Sequence, residues 1–446
     1  MSTPIAGTAG AFASAAPSSA AARPTASTRP EISRKAVAAA IAGNALEFYD
    51  FVLYAYFAIY IGQAFFPVAG EFGPLLASVA AFGVGFFTRP LGSLLIGAFA
   101  DRVGRKPALI LTVVLITIGT LGIAATPSYA AIGIAAPIIV VVCRLLQGLA
   151  LGGEIGPATA LLLELAPPGK RGFYTSWQMA SQGLAVAVGG LFGVIVSTAL
   201  SPQDLASWGW RLPFLFSLVL VPIAIYIRRS LPETLEHHSS ASTTQIVGTV
   251  FKKQRRWVVL GILLMMSGVV SSQFGNFMAS YAIKALKMPP AVAQSSVLLA
   301  GLLTFAGALF AGWLCDRYGR KVLMIVPRAA LMLAIVPMLV WLHGTPTAGT
   351  LFIVVAVLAT LTAMSGAASL VAIPELIPTA IRSTTLSLVY AIAATVFGGT
   401  TQLVVTWLMA STGDPVSPAW YIVATSAISL VAMALLPETR DVDVSR

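Results

Sequence analysis

Three carboxylic acids and two arginines stand in stretches that are otherwise almost wholly apolar: Glu47, Asp50 and Glu154, with Arg89 and Arg144. Burying an ionisable group in an apolar medium is costly, so each is a candidate for chemistry rather than for solubility. Arginine keeps its proton in any protein setting and presents a planar fork that matches a carboxylate. Two such forks suit an anion with more than one carboxylate. A carboxylic acid exchanges protons near ambient pH when burial favours its neutral form and a neighbouring guanidinium its ionised form. No histidine competes for that role, because His237 and His238 lie in a polar interval and His343 at the end of an apolar one. Glu47 and Asp50 suit proton exchange best, with Glu154 third. In this reading, protonation of an acid frees an arginine for the substrate. The competing reading pairs each arginine permanently with Glu47, Asp50 or Glu154 as a strut.

Helical spacing groups further polar residues with these charges. Arg144, Gln147, Leu151 and Glu154 fall on one helix face, and Asn44, Glu47, Phe51 and Tyr54 repeat that spacing. Gln178 and Gln182 are neighbours one turn apart, with Trp177 and Ser181 beside them. Such stripes on apolar helices describe the wall of a cavity, and Arg89, Arg144, Asn44, Tyr54, Gln147, Gln178 and Gln182 are its expected substrate contacts. In the second half Gln273, Asn276, Tyr281, Tyr390 and Gln402 offer hydrogen bonds, with Asn276 the expected contact. No charge is expected at mid-depth there, since Arg328 and Lys284 sit near enough to segment ends to snorkel.

The elements that hold these residues follow from composition. The 446 residues are 57% hydrophobic and only 10% charged, with a mean hydropathy of +0.88. A soluble domain carries roughly a quarter charged residues, so the solvent of this chain is mostly lipid. A helix needs about 20 apolar residues to cross the hydrocarbon. Such stretches run near 36–62, 74–99, 107–126, 135–164, 172–200 and 210–227, then 257–283, 291–314, 322–342, 349–373, 380–411 and 418–436. The expected fold is an all-α membrane protein of twelve transmembrane helices in two six-helix bundles. Its parts are a disordered tail (1–35), a first bundle (36–229), a polar linker (230–256), a second bundle (257–437) and a short tail (438–446). The first tail has no basic residue before Arg23 and lacks the plan of a secretory signal. Arg102, Arg105, Lys106, Lys170, Arg171, Arg317, Arg320, Lys321 and Arg382 all fall in alternate loops on one side. The positive-inside rule puts those loops, the linker and both termini in the cytoplasm.

The second half repeats the first. Gly97-x-x-x-Asp101-Arg102-x-Gly104-Arg105-Lys106 recurs as Gly312-x-x-x-Asp316-Arg317-x-Gly319-Arg320-Lys321. Glu164, Pro167 and Arg171 recur as Glu375, Pro378 and Arg382, and Leu231-Pro232-Glu233-Thr234 as Leu436-Pro437-Glu438-Thr439. Parallel six-helix repeats characterise transporters that rock one bundle against the other around a midplane site. With that loop motif, the chain resembles the major facilitator superfamily. The resemblance implies a gating role for Asp101, Arg102 and Arg105 and, in the second half, for Asp316, Arg317 and Arg320. Within the superfamily it is similar to the metabolite–proton symporters. The matching segments include Gly43-Asn44 with Glu47 and Tyr49-Asp50-Phe51, Arg89-Pro90-Leu91-Gly92, Arg144-Leu145-Leu146-Gln147-Gly148, Gly152-Gly153-Glu154 and Gly172-Phe173-Tyr174-Thr175-Ser176-Trp177-Gln178. Trp208-Gly209-Trp210-Arg211-Leu212-Pro213-Phe214 belongs with them. Spans four to six look closest to citrate and tricarballylate carriers, whereas Phe274-Gly275-Asn276-Phe277-Met278-Ala279-Ser280-Tyr281 in span seven departs from them. The resemblance implies proton-coupled import of a small organic anion, a di- or tricarboxylate, across a bacterial inner membrane. A zwitterionic osmolyte or an aromatic acid is the alternative.

Other classes fit less well. An enzyme would show a phosphate-binding loop, a zinc spacing or a nucleophile elbow, none of which occurs. A drug–proton antiporter would carry a Gly-Pro-centred motif in span five, where Ala187-Val188-Gly189-Gly190 stands instead. A receptor would lack the intramembrane charges or add a signalling domain. The net charge of +11 is spread over short loops rather than gathered on one surface, which argues against nucleic acid. Cys143 and Cys315 both lie in apolar stretches and suggest no disulfide. The chain is expected to act as a monomer without cofactor or metal.

Overall fold

The computed structural model describes residues 34–103, 105–152, 155–230 and 254–442. The expected first tail and the polar linker lie almost entirely outside them. Every described element is helical. Span one is Arg34–Tyr56 continued by Ala58–Phe65, bent by 63° between Ile41–Tyr56 and Ala58–Phe65. Span two is Gly73–Phe87 with Arg89–Val103, span three Arg105–Ala125, and span four Ala135–Leu151 with Ile155–Leu165. Arg171–Ala199 and Leu212–Ser230 complete the first six. The second six are Arg255–Lys284, Pro290–Tyr318, Arg320–Gly344, Ala348–Glu375, the run from Thr379 to Thr412, and Pro418–Leu435. Among the described residues, eight helices are long and apolar enough to cross a membrane alone, and the bent pair of span one makes a ninth. Joined at their breaks, the helices coincide with the twelve stretches expected. Leu333, Trp407, Trp420 and Val431 stand exposed on outer faces, as side chains that meet lipid do.

Breaks in the helices position the site. Pro90 has no N–H to return to the Phe86 carbonyl, so span two is interrupted at Thr88 and restarts at Arg89. The Phe86 carbonyl accepts instead from Thr395 Oγ1 at 2.9 Å. Thr395 is brought there by a π-helical turn, Ala394–Gly398, inside span eleven. One missing backbone donor in the first half thereby becomes a bond to the second.

The halves meet along two seams that the repeat interchanges, span two on span eleven and span five on span eight. Small residues make both possible, since helices in lipid gain from close backbone approach. A Cβ on Gly83 would collide with the Gly399 carbonyl, and one on Gly301 with the backbone of Ala187. At Gly183 it would stand 2.5 Å from the Phe305 nitrogen. Overpacking such a contact costs about 1–3 kcal/mol. Gly301→Val is therefore expected to lower the melting temperature of the purified protein. An unchanged melting temperature would mean that the seam yields without strain.

The third repeated motif has a structural use. Glu438 accepts from the backbone N–H groups of Arg320 at 2.8 Å and Lys321 at 2.9 Å, capping the start of span nine. Partial burial pushes the Glu438 carboxyl up, but these N–H groups and those of Arg440 and Thr439 outweigh it and hold it below the usual carboxylate range.

Candidate functional site

The two arginines of the first half lie side by side on one aromatic cluster. Arg89 is 4% exposed and Arg144 0%. Their guanidinium carbons stand 4.5 and 4.7 Å from the centre of the Phe51 ring. Phe86 covers Arg89 at 4.1 Å, while Tyr54 and Phe82 cover Arg144 at 4.8 and 4.6 Å. Arg144 donates to Gln147 Oε1 at 2.6 Å and to the Phe82 carbonyl at 3.4 Å. Gln147 is fixed in turn by Thr120 Oγ1 at 2.8 Å. The Tyr390 hydroxyl of span ten's successor, span eleven, faces Arg89. Among the described residues no carboxylate bonds either guanidinium, and Nε of both has no partner. Rings offer a cation a modest attraction, and uncharged acceptors offer less than an ion would. Among the described residues, no negative charge is bonded to this pair.

The acids of span one face elsewhere. Glu47 accepts from Thr112 Oγ1 of span three at 3.3 Å, and Asp50 accepts from Ser217 Oγ of span six. Both are buried. Phe51, one residue on from Asp50, is what meets the arginines, because successive helical residues point about 100° apart. Among the described residues, neither Glu47 nor Asp50 is paired with Arg89 or Arg144, so the expected direct proton-for-arginine exchange with those two is not seen in this arrangement. Glu154 lies outside the described residues. Asn44 and Gln178 also prove to be each other's partners. Gln178 Nε2 donates to Asn44 Oδ1 at 3.0 Å, and Asn44 Nδ2 donates to Ser181 Oγ at 2.6 Å. Their stripes bond span one to span five instead of standing open. Tyr54 accepts from Ser78 Oγ at 3.5 Å while its ring covers Arg144.

A narrow hollow of about 50 Å³ lies between the halves. Gln182 and Asn276 line it together with Ser271, Ser272, Thr304 and Thr362. Tyr56 Oη donates to Asn276 Oδ1 at 3.4 Å across the halves, and Asn276 Nδ2 has no partner. None of the residues lining it is charged, so Arg89 and Arg144 are outside its wall.

One expectation is corrected here. Arg328 does not snorkel: it is 1% exposed and turns inward, donating through Nη1 to Ser271 Oγ at 2.9 Å and to the Ser267 carbonyl at 3.2 Å. Its eight-residue distance from Arg320 is roughly 12 Å of helix, too deep for the head to return to water on that face. The available signal was the small face opposite, Ser267, Gly268 and Ser271, which leaves room for a long side chain.

Polar contacts tie the halves at both ends. At the end carrying the termini, Asp316 accepts from the N–H groups of Gly172 and Phe173 at 2.7 and 2.9 Å, capping span five from span eight. Arg382 reaches Glu164 at 3.4 Å. Arg320 pairs with Glu375 at 2.9 Å and lies 3.5 Å from Asp316. Arg317 is not brought into this network and lies against Trp313 and Tyr318. The side chains of Asp101, Arg102 and Arg105 are outside the described set. At the opposite end Glu71 meets Lys287 at 2.8 Å and Lys284 at 3.7 Å. Lys287, which donates a hydrogen bond to it, and then Lys284 hold the Glu71 carboxyl below the usual carboxylate range.

Comparison with known proteins agrees with this architecture. Residues 39–399 match the model of the Major Facilitator Superfamily. A citrate-proton symporter of Salmonella typhi is 34% identical over 397 residues, covering 88% of this chain and 92% of the relative. A citrate-proton symporter of Klebsiella pneumoniae is 35% identical over 402 residues, covering 88% and 89%. A proline/betaine transporter of Salmonella typhimurium is 31% identical over 424 residues, covering 91% and 84%. Among solved structures, a D-xylose-proton symporter superposes with a TM-score of 0.74 at 18% identity, over 91% of this chain and 98% of that one. The xylose transporter of E. coli, in a partially occluded inward-open conformation, gives 0.71 at 16%, over 91% and 98%. Twelve spans in two repeated halves, with full-length relatives above 30% identity, make this chain a multi-pass membrane protein of the Major Facilitator Superfamily, in its metabolite–proton symporter family.

Proposed function

We propose that the chain is a proton-coupled symporter that imports a small organic anion, a di- or tricarboxylate, by alternating access. The observation that carries this reading is the pair of buried guanidiniums, Arg89 and Arg144, with no carboxylate bonded to them among the described residues. A buried cation without an ion partner is expensive, and an arriving carboxylate offsets that cost. The citrate-proton symporters at 34% and 35% identity support the same substrate class. In this reading Gln147 and Tyr54 hold Arg144, and Gln182 and Asn276 contact the substrate once the halves rearrange to join the hollow to the arginines, which lie outside its wall in this arrangement. Asn44 and Gln178 keep the wall in register. Glu47 and Asp50 carry the proton, with Glu154 a third candidate. Since they do not touch the arginines, coupling runs through helix packing: protonating Asp50 weakens its hold on Ser217 and frees span one against span six.

Rocking requires the two sets of end contacts to break in turn. Asp316 and Arg320, with Asp101, Arg102, Arg105 and Arg317 as their repeat and loop neighbours, gate one side. The Glu71–Lys287 pair closes the other. The protein works as a monomer in a bacterial inner membrane, with both termini cytoplasmic.

A zwitterionic osmolyte is the second reading. It is favoured by the uncharged wall of the hollow and by the proline/betaine relative at 31% identity. Proteoliposomes with an imposed pH gradient decide between them. Citrate is expected to accumulate and glycine betaine is not; the reverse result would select the second reading. Asp50→Asn is expected to lose uphill accumulation, by about tenfold or more if its proton sets the coupling, while counterflow exchange persists. Full accumulation in both Asp50→Asn and Glu47→Gln would remove these acids from the mechanism.

A further inference from the structure

The second half holds a buried cation of its own. Arg328, in span nine, is 1% exposed, yet among the described residues no carboxylate bonds it and its Nε has no partner. Its Nη1 donates to Ser271 Oγ at 2.9 Å and to the Ser267 carbonyl at 3.2 Å, one turn apart on span seven. Gly268, between those serines, gives the guanidinium room: a Cβ there would meet Arg328 Nη2 at 3.7 Å and nothing else nearby. Ser271 also lines the central hollow, beside Ser272, Gly275 and Asn276.

This geometry fixes the polarity of that wall. A hydroxyl has one hydrogen to give, and the oxygen of Ser271 is already accepting from a cation. Its own O–H is left to donate, polarised by the guanidinium behind it, as charge-assisted bonds are. The unpartnered Asn276 Nδ2 is a second donor in the same lining. The wall contributed by span seven therefore offers hydrogens and positive potential, the complement of a carboxylate.

We infer that Arg328 is a positioning residue for an anionic group of the substrate: acting through Ser271, it makes the second half's side of the hollow a carboxylate-binding wall. The inference rests on the reading of the substrate as an organic anion. It adds a consequence for transport. Donors in the second half give the anion a grip on both bundles, so binding favours the arrangement in which they close around it.

The test uses the full chain in proteoliposomes with citrate, succinate and glycine betaine as probes. Arg328→Gln is expected to raise the KM for citrate by about tenfold or more, the effect of removing a buried charged donor, with Vmax changed far less. Ser271→Ala, which removes the hydroxyl through which Arg328 acts, is expected to raise KM in the same direction by a comparable factor. Arg328→Lys should recover part of the loss. The melting temperature of Arg328→Gln should not fall below that of the unmodified chain, since no acid is orphaned. If Arg328→Gln does not fold, the KM of Ser271→Ala decides. Citrate uptake with an unchanged KM in these variants overturns the inference while leaving the proposed function standing. So does a fall in Vmax and melting temperature at constant KM, which would make Arg328 a strut. Uptake of betaine but of neither acid by the unmodified chain overturns both.

Discussion

Arg144→Met is expected to fold, to melt no lower than the unmodified protein, and to lose substrate affinity by at least about 30-fold. The two halves of that expectation come from the same contacts. Arg144 is wholly buried but among the described residues bonds only Gln147 Oε1 and the Phe82 carbonyl, with three rings around its head. Methionine keeps the stem and fills much of the space. One acceptor, Gln147 Oε1, is left short of a donor, at about 1–3 kcal/mol. Against this, the desolvation of a cation, several kcal/mol in real proteins, is no longer borne. No carboxylate is stranded, so stability should hold or rise. The same deletion removes a buried donor to an incoming anion, for which truncation of one partner costs about 2–5 kcal/mol, or roughly 30-fold to several thousandfold. Thermal melting and radiolabelled citrate uptake on one preparation check both parts. A variant that melts lower yet transports normally would make Arg144 a structural cation and withdraw the central observation behind the proposed function.

How much of this was legible beforehand depends on what each feature requires. The twelve spans were, because lipid demands about 20 apolar residues for each crossing and tolerates little else. So was the doubling of the chain, since three polar motifs recur at equivalent helix ends. The bend of 63° in span one was not: no proline or glycine stands at Phe57. The interruption at Thr88 follows from Pro90, yet nothing local says that Thr395 will take the freed carbonyl.

The candidate site divides in the same way. Periodicity identifies which residues share a face but not which neighbour that face meets. The stripes make Asn44 and Gln178 expected substrate contacts on a cavity wall, whereas in the structure they bond each other. Glu47 and Asp50 lie within one turn of Phe51, yet they contact spans three and six while Phe51 contacts the arginines. Arg328 was misplaced because a long side chain near a span end has two ways to find polar company, outward to water or inward to hydroxyls. The choice is made by Ser267 and Ser271, some sixty residues away in sequence but 3.2 and 2.9 Å away in space.

Arg320→Met is expected to behave in the opposite way from Arg144→Met, losing about 3–5 kcal/mol of stability. Arg320 is also buried, but it donates through Nε and Nη2 to both oxygens of Glu375 at 3.1 and 2.9 Å. The Glu375 side chain is 0% exposed, and without Arg320 its one remaining bond among the described residues is from the Thr439 hydroxyl at 2.6 Å. An acid in that position must ionise without a counter-charge or take up a proton, and both destabilise the native packing. The double variant Arg320→Met/Glu375→Leu should recover most of the loss, since apolar replacement of a buried pair is often neutral. Melting temperatures of the two single variants and the double one give the coupling directly. Equal stability of Arg320→Met and the unmodified chain would show that this pair holds nothing together. The contrast separates two uses of one residue type: where a buried arginine already has its acid, removing it exposes a structural debt, and where it has none, removing it should cost only the substrate.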